Sequence, residues 1–470
     1  MNLFQPQNRL IEMKYIHYLV IVMLVFSGCA VGPRYSRPDI QQQETYIQSP
    51  IQTNEVTNLK WWEVYQDSLL QSLIQTAIDS NLDLMSAVYR VEEAKAVLGY
   101  NKANLYPFLD YSATGRASEF RNLSDQAGVT FSPNMVGLLG NVSWEIDLWG
   151  KLRHANRAAY AELMATEESR KSVYISLVAQ VAELYFQLRG LDERLFISQR
   201  AYETRLEYLD IITARFEKGN VSELDKLQAE QIAASAKAQI YSLERDIIRT
   251  ENAMNVLLGR TYLPINRGLE NNQQQLPLEI PSGLPSELLE RRPDIKLAEQ
   301  QLIAQTERIG VAVALRFPSL SLTALFGVAS PQISTLFGSQ AFLGSISGQL
   351  AGPFFRFGQN KRRVEAERAR ATQLSFQYEK TILTAFAEVE NSLAEIRTYS
   401  NEFGARQTQV YATEKSLMLS KALYDNGYTS FLQVLDAERE YFNSEYEKSL
   451  ALQNQLISTV RLYKALGGGW

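Results

Sequence analysis

The sequence predicts a membrane α+β fold built on an internal two-fold repeat. Two segments about 210 residues apart read alike. Each holds two stretches of alternating apolar and polar residues of the length that a transmembrane β-strand needs. Each then runs into a long helical stretch free of proline. Around Pro107 the chain reads Leu105-Tyr106-Pro107-Phe108-Leu109, then alternation, a turn, more alternation and Trp149-Gly150-Lys151. Around Pro318 it reads Arg316-Phe317-Pro318-Ser319-Leu320, then alternation, a turn, alternation and Phe357-Gly358-Gln359. A strand hairpin fused to a helix long enough to cross a compartment points to a conduit.

The N-terminus reads as targeting sequence rather than fold. Met13-Lys14 opens a short polar region, and Tyr18 to Phe26 is an apolar core too short for a comfortable transmembrane helix. Residues 1–28 are therefore expected to be a signal peptide, with translation starting at Met1 or at Met13. Phe26-Ser27-Gly28-Cys29 resembles a bacterial lipobox, although phenylalanine stands where leucine is usual. Cys29 is the expected lipidation site, and Ala30 after it lacks the aspartate of an inner-membrane retention signal, which favours the outer membrane.

Residues 29–60 are polar, rich in Gln and punctuated by proline, an extended arm. The first repeat is expected over 61–260. Trp61 to about Asn104 is helical, with Leu69, Leu70, Leu73, Ile74, Ala77 and Ile78 at helical spacing. Pro107 ends that pattern, because its ring cannot continue a helix interior. A β-hairpin follows at about 108–149. In its second strand Leu138, Gly140, Val142, Trp144, Ile146 and Leu148 share one face, and Asn141, Ser143, Glu145 and Asp147 the other. A helix from about Lys151 to Glu217 would run on the order of 100 Å. Leu177, Leu184, Leu188, Leu191 and Leu195 suggest coiled-coil-like packing. Gly219 breaks the helix, and Ser222 is the N-cap candidate for a returning one.

Residues 261–290, rich in proline and with an Asn-Gln run, link the copies. The second repeat, 291–470, holds a helix, a β-hairpin at about 319–357 and a second long helical hairpin. Leu320, Leu322, Ala324, Phe326 and Val328 alternate with mostly polar residues, as do Phe342, Gly344, Ile346, Gly348 and Leu350; Leu325 breaks the pattern. Gly427 and Ser430 occupy the places of Gly219 and Ser222. A half-buried sheet in a soluble sandwich is the alternative that alternation alone allows.

Four strands cannot span a membrane alone, since their edges would leave backbone groups facing hydrocarbon. Several chains must each contribute four; two would make eight strands and three twelve. Basic residues crowd the strand-to-helix junctions: Lys151, Arg153 and Arg157 in one copy, Arg356, Lys361, Arg362 and Arg363 in the other. Positive charge there opposes the helix dipole. Anionic lipid headgroups or acidic side chains would compensate it, with Trp149 and Phe357 beside them at the membrane face. A solvated face interleaved with Glu365 and Glu367 is the plainer reading.

Lys and Arg (47) are slightly outnumbered by Asp and Glu (52), so nothing argues for a nucleic-acid partner. One cysteine and two histidines, His17 and His154, exclude an internal disulfide and a Cys/His zinc cluster. Walker, zinc-hydrolase and nucleophile-elbow motifs are missing.

Trp61-Trp62-Glu63, followed by Asp67, Leu70, Leu73, Ala77 and Asn81-Leu82-Asp83-Leu84, resembles the opening of the TolC-type outer-membrane factors. Arg291-Arg292-Pro293-Asp294-Ile295, Gly310-Val311-Ala312, Phe317-Pro318-Ser319-Leu320 and the terminal Leu466-Gly467-Gly468-Gly469-Trp470 resemble the lipoprotein branch serving resistance-nodulation-division (RND) pumps. The likeness covers nearly all of the mature chain. It implies a homotrimer whose twelve strands form one outer-membrane barrel continuous with a periplasmic helical barrel. It also implies a periplasmic membrane-fusion adaptor, an inner-membrane RND-type pump, contact with outer-membrane lipid, and no cofactor beyond a covalent lipid on Cys29. The chain would be a passive exit duct for drugs or other small molecules, not an enzyme.

The resemblance further implies an iris at the helical turns. Within Leu432-Gln433-Val434-Leu435-Asp436-Ala437, Asp436 matches a ring aspartate and Leu432 a ring apolar residue. Gln433 stands where some members carry a second aspartate. Asp225 matches an aspartate that ties the closed turns, and Tyr424 its partner tyrosine. Thr429 stands where some members place the arginine of that tie, so the gate here is held differently or more weakly. Asp225 and Asp436 also suit the first turn of a helix on dipole grounds alone. Gly219, Ser222, Gly427 and Ser430 mark the turns where adaptor hairpins would dock. Alternatives are a duct for protein or polysaccharide export, or a lipid-anchored periplasmic coiled-coil scaffold.

Overall fold

The computed structural model describes residues 30–39, 46–47, 60–116, 135–274 and 285–468. Cys29, the leader before it and Gly469-Trp470 lie outside the described residues. The elements are α1 (Trp61–Val64), α2 (Ser68–Ser80), α3 (Leu82–Ala103), β1 (Phe108–Arg116), β2 (Met135–Ile146), α4 (Lys151–Glu217), α5 (Glu223–Leu257), α6 (Pro285–Arg291), α7 (Pro293–Ala314), β3 (Ser319–Ser330), β4 (Phe342–Ala351), α8 (Gln359–Asp425) and α9 (Phe431–Ala465). The repeat is close to residue-for-residue in its helices. α3 and α7 each have 22 residues, α4 and α8 each 67, and α5 and α9 each 35.

The chain divides into two compact units, and each draws on both copies of the repeat. The first comprises Met1–Asp39, Val91–Thr166 and Ala298–Tyr378; the second comprises Ile40–Arg90, Glu167–Leu297 and Glu379–Trp470.

The first unit holds an antiparallel sheet in the order β1-β2-β3-β4. Its register carries the apolar alternation across all four strands. Leu109 faces Val142, which faces Ala324, which faces Ile346. One step along, Tyr111, Gly140, Phe326 and Gly344 align in the same way. The opposite face aligns Asp110, Asn141, Leu325 and Ser345, so Leu325 is an apolar intruder among polar residues. Phe326 lies across Gly140, where a Cβ would come within 2.6 Å of its ring, so one large side chain covers the gap left by a glycine. The apolar face is not covered: Tyr111 is 88 % and Ile346 87 % exposed. Among the described residues no helix is long and apolar enough to cross a membrane.

The strands stop at Ile146 and Ala351, short of the ends near 149 and 357 that alternation suggests. Leu148 leaves the apolar face because its N–H turns back to the Ile146 carbonyl at 2.9 Å. The Asp147 carboxylate leaves the polar face to accept the Leu152 and Arg153 amides at 3.2 and 2.9 Å, capping α4. In the second copy Pro353 has no N–H to extend the ladder.

The residues after Cys29 are fastened along this unit. Val31 N–H donates to the Trp149 carbonyl at 3.1 Å, Tyr35 donates to Glu299 at 3.0 Å, and Arg37 grips both Glu299 oxygens at 2.7 Å. His154 is buried with Nδ1 2.5 Å from Glu307 Oε2, packed against Gly32 and Gly310.

The second unit is helical. Its largest core joins Leu70, Ile74, Tyr185, Phe186, Leu188, Met254, Val460 and Tyr463, with Leu177 buried and Leu184 packed against them. Two sequence motifs act here. Arg292 is buried; its guanidinium grips Asp294 at 3.0 and 2.6 Å, donates to the Ala465 carbonyl at 2.9 Å and pairs with Glu388 at 2.7 Å. It thereby satisfies a carbonyl at the C-terminus of α9. Asp67 caps α2 through the Leu69 amide at 2.9 Å. It also accepts from Tyr185 at 2.5 Å, the Leu269 amide at 2.9 Å and Gln274 at 3.0 Å.

Burial opposes the Asp67 charge, but those hydrogen bonds, Tyr185 first, outweigh it and hold the carboxyl below its ordinary value. Its stabilisation is therefore complete above the unfolded carboxyl range, about pH 4. It is lost as pH falls through the lowered folded value. Asp67→Ala should cost about 3 kcal/mol at neutral pH. Chemical unfolding followed by circular dichroism at neutral and acid pH should show the gap between wild type and variant closing below pH 4.

Candidate gate and membrane-face sites

The two long helices end by the same local device. The Gly219 N–H bonds the Phe216 carbonyl at 2.8 Å and Asn220 N–H the Arg215 carbonyl at 3.0 Å; Gly427 and Tyr428 repeat this with Tyr424 and Leu423, each at 2.9 Å. This Schellman arrangement needs a left-handed residue, and Gly219 and Gly427 adopt φ of 72° and 77°.

The returning helices start differently. Ser222 is the N-cap of α5: its Oγ accepts the Asp225 amide at 3.2 Å, while Asp225 Oδ2 accepts the Ser222 N–H at 3.0 Å and hydroxyl at 2.7 Å. This is a reciprocal capping box. Ser430 holds the same place before α9, but its side chain makes no capping bond. Thr429 instead donates to Gln433.

Ile212, Ala229, Leu417, Phe431, Val434 and Leu435 form a small core beside the turns, with Tyr208, Val221 and Tyr424 packed on it. The Tyr424 ring lies 5.5 Å from that of Phe431. Its hydroxyl accepts from Arg215 Nη1 at 2.7 Å. Arg215 stands on the first long helix, 209 residues before Tyr424, and no motif singles it out. Asp225 and Tyr424 share no bond in the structure; Asp225 is committed to Ser222. Leu432 and Asp436 face outward from α9, and the Asp436 side chain is 61 % exposed. Arg439, one helical turn on, pairs with Asp436 at 2.5 Å.

A further buried pair ties the helices nearby. Arg205 grips both Glu438 oxygens at 3.2 and 3.0 Å, donates to the Ile232 carbonyl at 3.2 Å and lies 4.9 Å from the Phe442 ring. Burial raises the Glu438 carboxyl, and Arg205 opposes that shift. Nothing in the sequence signals this pair, because its members lie 233 residues apart.

At the strand-to-helix junctions, acidic side chains answer several of the basic residues. Lys151 pairs with Glu145 at 2.5 Å, Arg153 with Asp147 at 3.2 Å, Arg157 with Glu307 at 3.7 Å and Arg362 with Glu365 at 2.7 Å. Arg153, partly exposed, thus meets an acidic side chain, one of the two kinds of partner expected for it. Arg362 is exposed in an intrahelical pair. The Trp149 indole stacks on Phe317, with centroids 4.7 Å apart, and donates to the Pro318 carbonyl at 2.8 Å.

The sequence profile of the outer membrane efflux protein family matches residues 73–260 and 284–468. The chain belongs to this family. Among its relatives, the solvent efflux pump outer membrane protein SrpC of Pseudomonas putida is 34 % identical, over 97 % of this chain and 99 % of the relative. The cation efflux system protein CusC of Escherichia coli O157:H7 is 30 % identical, over 96 % and 97 %. The crystal structure of the Campylobacter jejuni CmeC outer membrane channel superposes with a TM-score of 0.87 at 26 % identity, covering 94 % of this chain and 95 % of that one. This outer membrane efflux protein is accordingly an outer-membrane channel component of an efflux pump, located in a Gram-negative outer membrane, and not an enzyme.

The two turns should differ in strength. Ser222→Ala should lose about 1 kcal/mol of protection in the first turn of α5, and Ser430→Ala only a few tenths in α9. Hydrogen exchange of the amides in those turns measures both.

Proposed function

We propose that three copies of this chain close their sheets into one twelve-stranded barrel and conduct small solutes from a periplasmic adaptor and an inner-membrane pump to the exterior. One observation carries the proposal: the apolar face runs in register across β1–β4, while β1 and β4 are both edge strands. In hydrocarbon every backbone donor and acceptor must be paired, so those edges require neighbouring strands. Eight strands is the lower limit for such barrels. Three chains are favoured by the family resemblance. The relatives' names specify solvents, toluene, antibiotics or cations, which supports small solutes over exported protein.

In this reading the helical hairpins reach into the periplasm, and the turns at Gly219, Ser222, Gly427 and Ser430 receive the adaptor. Leu432 and Asp436 line the constriction. Symmetry-related Asp436 carboxylates near an axis repel one another and attract cations, leaving a gate poised between states; Arg439 offsets part of that repulsion. Arg215 and Tyr424 hold the closed arrangement within each chain, and Asp225 stiffens the turn beside them. Lipid on Cys29 anchors the mature N-terminus. The bond from Val31 to Trp149 supports this, because it sets the following residues at the end of the sheet.

Purified protein should run as a heat-modifiable trimer and form channels in planar bilayers, and its deletion should sensitise cells in a drug-susceptibility panel. Asp436→Ala and Arg215→Met should each raise single-channel conductance or antibiotic leakage. Unchanged values in a correctly assembled trimer would remove these residues from the gate.

A further inference from the structure

A cavity of about 360 Å³ opens where β2 and β4 give way to α4 and α8 and where α7 leads into β3. The stacked Trp149 and Phe317 line it, and Trp149 is pinned by its bond to Pro318. Five charged residues border it: Glu145, Asp147, Lys151, Arg356 and Arg363. Glu145 is taken by Lys151, and Asp147 by the α4 amides and Arg153. Two exposed guanidinium groups remain, and neither Arg356 nor Arg363 has an ion-pair partner among the described residues. The cavity therefore carries a net positive charge that the protein itself does not neutralise.

Beside it the chain displays three phenyl rings. Phe354 is fully exposed, Phe357 is 90 % exposed, and Phe355 packs on Phe357 with centroids 4.5 Å apart. Phe357 has φ 45°, and among the described residues no other non-glycine has positive φ. That conformation is uncommon for a bulky side chain, and it sits in a tight turn closed by the Gln359 N–H to the Arg356 carbonyl at 2.8 Å. The loop begins one residue past the end of β4, so rings and guanidinium groups share the level at which the apolar face ends. Aromatic rings and basic groups at that level match the ester and phosphate regions of a bilayer.

We propose that this cavity binds the headgroup of an anionic phospholipid in the periplasmic leaflet. Arg356 and Arg363 clamp the phosphate, and Phe354, Phe355 and Phe357 lie against the glycerol esters and first methylenes. Arginine suits a phosphodiester because its planar fork donates two parallel hydrogen bonds. Two uncompensated charges favour a lipid with net negative charge over a zwitterionic one. This assignment rests on the reading of β1–β4 as membrane-spanning, and it adds a ligand to the membrane face.

The test is native mass spectrometry of the full-length protein in mixed micelles with phosphatidylglycerol or phosphatidylethanolamine. Wild type should retain phosphatidylglycerol preferentially. Arg356→Gln with Arg363→Gln should weaken that retention on the order of tenfold, and Arg356→Lys with Arg363→Lys should restore part of it. Removing two distant exposed charges, Lys237→Gln with Lys415→Gln, should leave it intact. The proposal is overturned if wild type shows no headgroup preference, as it would were a neighbouring copy's carboxylate to fill the cavity. It also falls if the distant pair weakens retention equally, or if millimolar inorganic phosphate displaces the lipid, which would indicate a free-phosphate site. Heat-modifiable assembly and bilayer conductance are recorded on the same samples. A variant that assembles and conducts normally while retaining lipid refutes the headgroup site and leaves the channel intact. A wild type that neither assembles nor conducts refutes the membrane-spanning reading itself.

Discussion

Backbone hydrogen bonding is the constraint on which the rest of this protein depends. A sheet with one apolar face can lie against hydrocarbon only if no row of N–H and C=O groups is left open. β1 and β4 each leave such a row. A soluble protein would cover the apolar face with a second layer, yet Tyr111 and Ile346 stand almost fully exposed. Both features make the single chain incomplete. That incompleteness is the physical ground for the closure proposed above, since open edges at β1 and β4 call for neighbouring strands.

Internal duplication suits that requirement. The paired helices match in length, so two hairpins per chain can occupy near-equivalent places. The departures from equivalence are local and electrostatic. Ser222 and Asp225 form a capping box, whereas Ser430 does not cap and Thr429 turns to Gln433. Arg215 reaches Tyr424 across the two copies. The two turns, alike in their glycine stops, therefore differ in how the returning helix is capped. The buried Arg205–Glu438 pair likewise joins the two copies. A charge pair that desolvated is costly to break by removing one partner and of modest net stabilising value.

The fold was largely legible because its signals are local. Proline at 107 and 318, alternation of period two and glycines at 219 and 427 each act on their own few residues. Local rules faltered where a side chain found a partner outside its own element. Leu148 and Asp147 continue the alternation on paper, but Asp147 is worth more as a cap on α4. For Arg153 the sequence left lipid and acidic partners both open, and Asp147 stands beside it in the structure. Arg215, Glu438 and the Glu299 that holds Arg37 carry no motif at all, since their meaning lies in residues more than 200 positions away.

By itself the sequence determined the repeat, the four strands, the helical hairpins and their glycine stops, because hydrophobic period, proline and left-handed glycine act through nearest neighbours. Tertiary structure alone decided which charges are satisfied. It sent Arg205 to Glu438 and Arg37 to Glu299, bound Tyr424 to Arg215, and left Arg356 and Arg363 without a carboxylate partner among the described residues. Ion pairing depends on distances of a few ångströms between residues far apart in the chain, and no local pattern encodes those distances.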